Sequence, residues 1–242
     1  MTDRPATPKT KNRVIKLTGF DTYAVVLTHN RHEWANQLLG VLLDDGVTPF
    51  VIDNRSEPPF VADNRDVVVI RDDNPMNISA LWNQGLEIVE RDARRRELEY
   101  WNVAVLNDDL DMPHGALDEL GFAMRAYEAD ASFPDVHGMQ PFAKLHRDVG
   151  FTPISLFERV SGFCFMLPGE RGLRADPQFE FWYGDDDIDW RVRAGRGSVQ
   201  VPLRNPIRHL DADGTYTRDP EAAEQAGRDR QSFIVKYGQP PW

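Results

Sequence analysis

Two groups of acids in this chain are dense enough to do chemistry together: Asn107-Asp108-Asp109 with Asp111, and Asp185-Asp186-Asp187 with Asp189. The first follows Val103–Leu106 without a break, and that apolar run has the character of a strand buried on both faces. In an open α/β sheet, ligands bind beyond the carboxyl ends of the strands, so these carboxylates are expected to stand in a crevice. Crowded carboxylates repel one another, and a bound divalent cation relieves them. A structural role is also on offer, because Asp111 lies just before Pro113 and could cap a helix. One cap needs one acid, however, and this loop has three. A cation that neutralises a departing diphosphate, with a carboxylate opposite to take a proton from an attacking hydroxyl, makes a group transfer from a nucleotide diphosphate to an alcohol.

The elements that must position these acids can be read from periodicity. Tyr23–Leu27 is a buried strand ending in the polar turn Thr28-His29-Asn30-Arg31, and Trp34, Leu38, Leu39 and Leu42 then recur at helical spacing. A second strand, Pro49–Ile52, ends in Asp53-Asn54-Arg55-Ser56, and Val67–Ile70 forms a third. Asn77 is placed to cap a helix with Ile78, Leu81, Trp82, Leu86 and Val89 on one face. After the acidic strand, Leu117, Leu120, Met124 and Tyr127 predict a helix over Pro113–Ala129. This alternation predicts an α/β fold with a mostly parallel sheet covered by helices. In the second half, strands are expected at Gly138–Ala143, Val160–Leu167 and Val199–Leu203. A short helix is expected over Trp190–Gly195, and a polar helical tail closes in Phe233, Tyr237 and Trp242. Asp185 and Asp189 also suit the N-terminal charges of a helix.

Composition narrows the class. The 242 residues, 41% of them hydrophobic, suffice for one sizeable core, and a single domain over residues 21–242 is expected after a flexible polar arm at residues 1–20. The single cysteine, Cys164, lies in an apolar run and reads as a buried thiol; it excludes an internal disulfide and a cysteine-built zinc site. No window is apolar enough to span a membrane and the N-terminal residues lack a signal-peptide core, so no membrane contact and a cytoplasmic location are expected. The net charge of −11 argues for weak nonspecific affinity for nucleic acid, although Arg191, Arg193 and Arg196 could offset it locally, so nucleic acid is not excluded as an acceptor.

The ordered segments AVVLTHNR, FVIDNRS, NPMNISALWNQGLE, VAVLNDDLDMPHGAL, VSGFCFML, FEFWYGDDDIDWRVRAGRG and IRHLD resemble the GT-A glycosyltransferases, most closely the large inverting family 2. The resemblance covers roughly residues 22 to 240 and rests on the order of the segments rather than on any one motif. It implies a GT-A fold with a small antiparallel acceptor-side sheet, a nucleotide-sugar half at 21–112 and an acceptor half at 113–242. The implied activity is metal-dependent transfer of a sugar from a nucleotide-diphosphate donor, a UDP-sugar being the commonest, to a hydroxyl with inversion. Thr28, Asn30, Arg31, Asp53, Asn54, Asn77, Asn83 and Asp108 match donor-contacting positions, with Gly85 in the same helix. Asp109 matches the direct ligand of Mn2+ or Mg2+, and His209 matches a further ligand. Asn107 stands where the family's metal-binding triplet begins with an acid, so the expectation is either that Asp108 or Asp111 shares the metal or that the metal is held more weakly. Asp186-Asp187 matches the family's Glu-Asp pair, with Asp187 as the base and a one-residue shift left open by the run of acids. Of the aromatics Phe181, Trp182 and Tyr183, the last two are the candidates to stack on an acceptor sugar or base, with core packing as the alternative.

Alternatives remain at this level. A retaining GT-A enzyme and a non-catalytic nucleotide-sugar module both fit these residues. A nucleotidyltransferase would want a glycine-rich loop after the first strand, and THNRHEW has no glycine. The acceptor, whether glycan, protein, small molecule or modified DNA base, is not legible.

Overall fold

A computed structural model describes residues 19–147, 155–211 and 220–241. The arm expected at residues 1–20 therefore lies, up to residue 18, outside the described residues, as does Trp242. The first half alternates as its periodicity requires: β1 (Asp21–Thr28), α1 (His32–Asp44), β2 (Thr48–Asn54), β3 (Val68–Asp72), α2 (Ile78–Arg95), β4 (Trp101–Asn107), the two-residue β5 (Leu110–Asp111) and α3 (Ala116–Ala126). The second half contributes β6 (Ala131–Pro134), β7 (Lys144–His146), β8 (Cys164–Pro168), α4 (Gly184–Ala194), β9 (Ser198–Val201), β10 (Arg208–His209) and α5 (Pro220–Tyr237).

Among the described residues, eight strands form one sheet in the order β3-β2-β1-β4-β8-β6-β9-β7. The pairs β3–β2, β2–β1, β1–β4 and β6–β9 run parallel, whereas β4–β8, β8–β6 and β9–β7 run antiparallel. Strands β1 and β4 lie at the centre with layers on both faces, which is why their sequences are apolar without alternation. On one face, Leu38, Leu39 and Leu42 of α1 and Leu117, Leu120 and Met124 of α3 pack on Ala24, Val26, Ala104 and Leu106. On the other, Leu81, Trp82, Leu86 and Val89 of α2 meet Val25, Val103, Val105 and the α4 residues Ile188 and Val192. A separate aromatic cluster of Phe179, Tyr183, Trp190 and Phe233 ties α5 to the start of α4.

Four elements in particular differ from the sequence expectation. The helix expected from Pro113 starts at Ala116, because Gly115 at φ 80° turns the chain first and leaves Asp111 in β5 rather than at a cap. The strand expected at Gly138–Ala143 falls at Lys144–His146, and the preceding strand β6 was not foreseen, since Ala-Ser-Phe-Pro is short and shows no alternation. Helix α4 begins at Gly184 and takes the three acids into its first turn, where the helix dipole favours them.

Candidate active site

A cavity of about 780 Å³ opens at the carboxyl ends of the central strands, and both acidic groups reach its wall. Asp109 and His209 line it, and so do Asp185 and Asp186, together with Trp82, Phe163, Phe181, Trp182 and Tyr183.

The first group is assembled by three chain segments. Strand β4 delivers Asp108 and Asp109, both buried, at its end. The pairing of β5 with β10 sets His209 opposite Leu110, and the Leu210 backbone N–H donates to Asp109 O at 2.9 Å. Arg31, at the end of the β1 turn, donates to Asp109 Oδ2 at 2.6 Å and to Asp211 Oδ2 at 2.8 Å, with a longer 3.4 Å approach to Asp108 Oδ1. Thr28 Oγ1 donates to Asp108 Oδ2 at 2.8 Å. Burial pushes the Asp108 carboxyl up to about 6, against the opposing pull of Thr28 and Arg31. Burial would raise Asp109 too, but the close approach of His209, with Arg31, holds it below the ordinary carboxylate value.

The second group sits on α4, and the three acids of its first turn differ in their surroundings. Asp185 lines the cavity, and its Oδ2 accepts the Gly162 N–H at 2.7 Å. Asp186 is buried behind it, with both oxygens 2.8 Å from Arg159 Nη1. Burial and the neighbouring Asp185 push Asp186 well up, and Arg159 opposes them. Asp187 is not on the cavity wall: Arg191, Lys236 and Tyr237 hold its oxygens at 2.9, 2.6 and 2.6 Å on the side facing α5.

The other expected site residues hold the walls in place. Asn77 caps α2 by accepting the Ala80 N–H at 2.8 Å, and its amide donates to Pro177 O at 3.0 Å. Asn83 exchanges two 2.8 Å hydrogen bonds with the Ala175 backbone. These two asparagines, with Ile78 N–H to Glu180 O at 2.6 Å, stitch the start of α2 to the loop that leads into α4. Asp53 accepts the Ser56 and Phe60 N–H groups and pairs with Arg71, and Asn54 donates to Asp72 O and Asn74 O, so both brace the β2 turn off the cavity wall. Asn30, at φ 59°, accepts the Glu57 N–H. Asp111 pairs with Arg208 and does not line the cavity. Trp182 and Tyr183 do line it. Sequence reasoning gave no role to Arg159 or Asp211; an arginine abutting the buried run from Val160 was the available signal for the first.

No protein-family model and no curated protein matches this sequence. Solved structures do match the fold. Residues 1–349 of S. aureus TarS superpose with a TM-score of 0.55 at 10% identity, over 90% of this chain and 72% of that one. A longer S. aureus TarS structure gives 0.52 at 10% identity, over 91% of this chain and 44% of that one. TarS 1–349 in complex with UDP-GlcNAc aligns at 11% identity with a TM-score of 0.47, over 91% of this chain and 74% of that one.

The chain has the GT-A glycosyltransferase fold. Its GT-A sheet puts the Asp109 and Asp185 ends on one cavity, and no helix among its described residues is long and apolar enough to cross a membrane.

The GT-A resemblance implies a divalent cation, and the residues present can be tested against one. Among the described residues, no three His, Cys, Asp or Glu side chains converge as a ready-made cage. Asp109 Oδ1 is nevertheless buried without a well-aligned hydrogen bond, 3.1 Å from His209 Nε2. One carboxylate and one imidazole fit a cation that takes its remaining ligands from substrate phosphates and water.

Proposed function

We propose that this protein is a glycosyltransferase that moves a sugar from a nucleotide diphosphate, UDP being the first choice, to an acceptor hydroxyl with inversion. The observation that carries the reading is the single cavity whose wall includes Asp109, His209 and Asp185 together. Asp109 and His209 would hold Mn2+ or Mg2+, which when bound neutralises the charge of the departing diphosphate. Arg31 bridges Asp108, Asp109 and Asp211, and so orients that end for the phosphates. We assign the base to Asp185 in place of Asp187. Asp185 lies on the wall with one oxygen bonded to Gly162 N–H, whereas Asp187 is fully buried and engaged by Arg191 of its own helix and by Lys236 and Tyr237 of α5. A carboxylate across the cavity from the leaving group can take the acceptor's proton as that hydroxyl attacks from the opposite face, which is what direct inversion needs. The aromatic wall of Phe181 and Trp182 suits the apolar face of a sugar or other ring.

The test is a thermal-shift screen of UDP-, GDP- and dTDP-sugars, each with and without Mn2+ or Mg2+. A donor at a hundredfold its Kd stabilises the folded state by about 2.7 kcal/mol, so a hit is expected only with the metal present. Asp109→Asn and His209→Ala are expected to erase it. If no nucleotide sugar shifts the midpoint under either condition, the reading fails.

A further inference from the structure

We infer that Asp229, on the last helix and outside the cavity, is the positioning residue that sets the Phe181–Asp186 wall, and that it acts on transfer without acting on donor binding. This rests on the glycosyltransferase reading. Asp229 is 1% exposed, and its Oδ2 accepts two consecutive backbone N–H groups, from Phe181 at 2.8 Å and Trp182 at 2.9 Å. Its Oδ1 accepts from Gln225 Nε2 at 2.7 Å, one turn back on the same helix, which orients the carboxylate. Two N–H groups aimed at one oxygen fix the peptide planes of a loop that has no sheet partner. The next residue, Tyr183, then adopts φ 66° and ψ 5°, a left-handed conformation that is an outlier for a bulky side chain. Such a conformation persists only where its surroundings over-determine it, and it marks functional sites.

The surroundings are visible on both sides of Tyr183. Upstream is the Asp229 anchor. Downstream, the Tyr183 carbonyl accepts the Asp187 N–H at 2.9 Å and opens α4. Beneath, the Tyr183 ring packs 6.2 Å from the fully buried Phe233, which also meets Phe179 and Trp190. At the far end of α5, Lys236 and Tyr237 hold Asp187, so α5 grips the acidic turn at both ends. The turn so held presents Phe181, Trp182, Tyr183, Asp185 and Asp186 to the cavity, whereas Arg31, Asp109 and His209 come from other segments. Loosening the Asp229 contacts therefore moves the proton-accepting wall and leaves the diphosphate end in place.

The experiment compares the full chain with Asp229→Ala and Asp229→Asn by amide hydrogen exchange, by UDP binding with Mn2+, and by hydrolysis of UDP-N-acetylglucosamine and UDP-glucose with water as acceptor. Losing the two hydrogen bonds in the Ala variant is expected to speed exchange at the Phe181 and Trp182 amides about tenfold or more, with β1 and β4 amides unchanged. Hydrolytic kcat is expected to fall by about the same factor, with UDP Kd changed less than about twofold. Asn keeps an acceptor oxygen, though a weaker one, and is expected to show both effects at a reduced size, about twofold to fourfold. Unchanged exchange in Asp229→Ala overturns the assignment, as does faster exchange with kcat intact or with UDP affinity lost in equal measure. Should the Ala variant not fold, Asn decides alone: its amide oxygen is a weaker acceptor, and wild-type exchange and kcat in that variant overturn the proposal. If the wild type neither binds nor hydrolyses any nucleotide sugar while Asp229→Ala still frees the two amides, the loop anchor stands and the transferase reading is what has failed.

Discussion

The acids at 185–187 show how little separates a side chain on the cavity wall from one that only holds the fold. Successive residues on a helix are turned by about 100°, so three consecutive carboxylates point at three different environments. Asp185 meets the cavity and the Gly162 N–H, Asp186 reaches the cavity wall while held by Arg159, and Asp187 meets α5. Composition and spacing single out the cluster, but the member facing the substrate depends on the residue at which the helix starts. Removing one charge at a time separates the roles. Asp185→Asn is expected to abolish transfer or donor hydrolysis while changing stability by less than about 1 kcal/mol, because its carboxylate accepts one N–H, from Gly162, and meets Arg159 only at 3.6 Å. Asp187→Asn is expected to cost on the order of 2 kcal/mol, since it weakens charged bonds from Arg191, Lys236 and Tyr237. Paired denaturation and turnover measurements distinguish the two; a stable, inactive Asp187→Asn would return the base to that residue.

At the scale of elements, α2 against β1 is the joint on which the site depends, since α2 carries Asn77 and Asn83 to the loop before α4. Gly85 makes the close approach possible: a Cβ there would stand 2.3 Å from Val25 Cγ1. Gly85→Ala is accordingly expected to destabilise by about 1–3 kcal/mol through overpacking, read as a lower urea midpoint. The far end of the same helix is tied down by Tyr23 of β1, whose hydroxyl donates to Asp92 Oδ2 at 3.0 Å and accepts from Arg96 Nη1 at 2.9 Å. Burial first, and the Asp92 hydrogen bond second, push the Tyr23 hydroxyl up to about 12. An acid whose pKa is higher in the folded state stabilises fully below its unfolded value and loses that contribution as pH climbs through the folded one. The wild type is therefore expected to lose about 1–2 kcal/mol relative to Tyr23→Phe between pH 9 and 11, in a pair of urea titrations. A constant difference across that range would refute it. The strand and helix periods made these elements legible. Asn77, read from sequence as both a helix cap and a donor contact, caps α2 in the structure and also donates to Pro177.

For the whole molecule, Cys164 reports on the integrity of the sheet. It lies in β8 beside β4, fully buried, and burial pushes its thiol far above the ordinary value. A thiol reagent is expected to leave the native protein unlabelled at neutral pH and to modify it at the rate of global unfolding. Labelling at the rate of an exposed thiol would show that β8 opens on its own. The sequence by itself determined the features that local period and residue type dictate: the alternating first half, the GT-A resemblance carried by ordered segments, the acids at the β4 end, and the buried cysteine. Only the tertiary structure decided the features that depend on contacts between distant segments. It paired β5 with β10 and so brought His209 to Asp109, placed Arg31 among three acids, and turned Asp187 to α5 while Asp185 faced the cavity. Local spacing records the character of a side chain. The partner it meets is selected by long-range packing, which no single stretch of sequence contains.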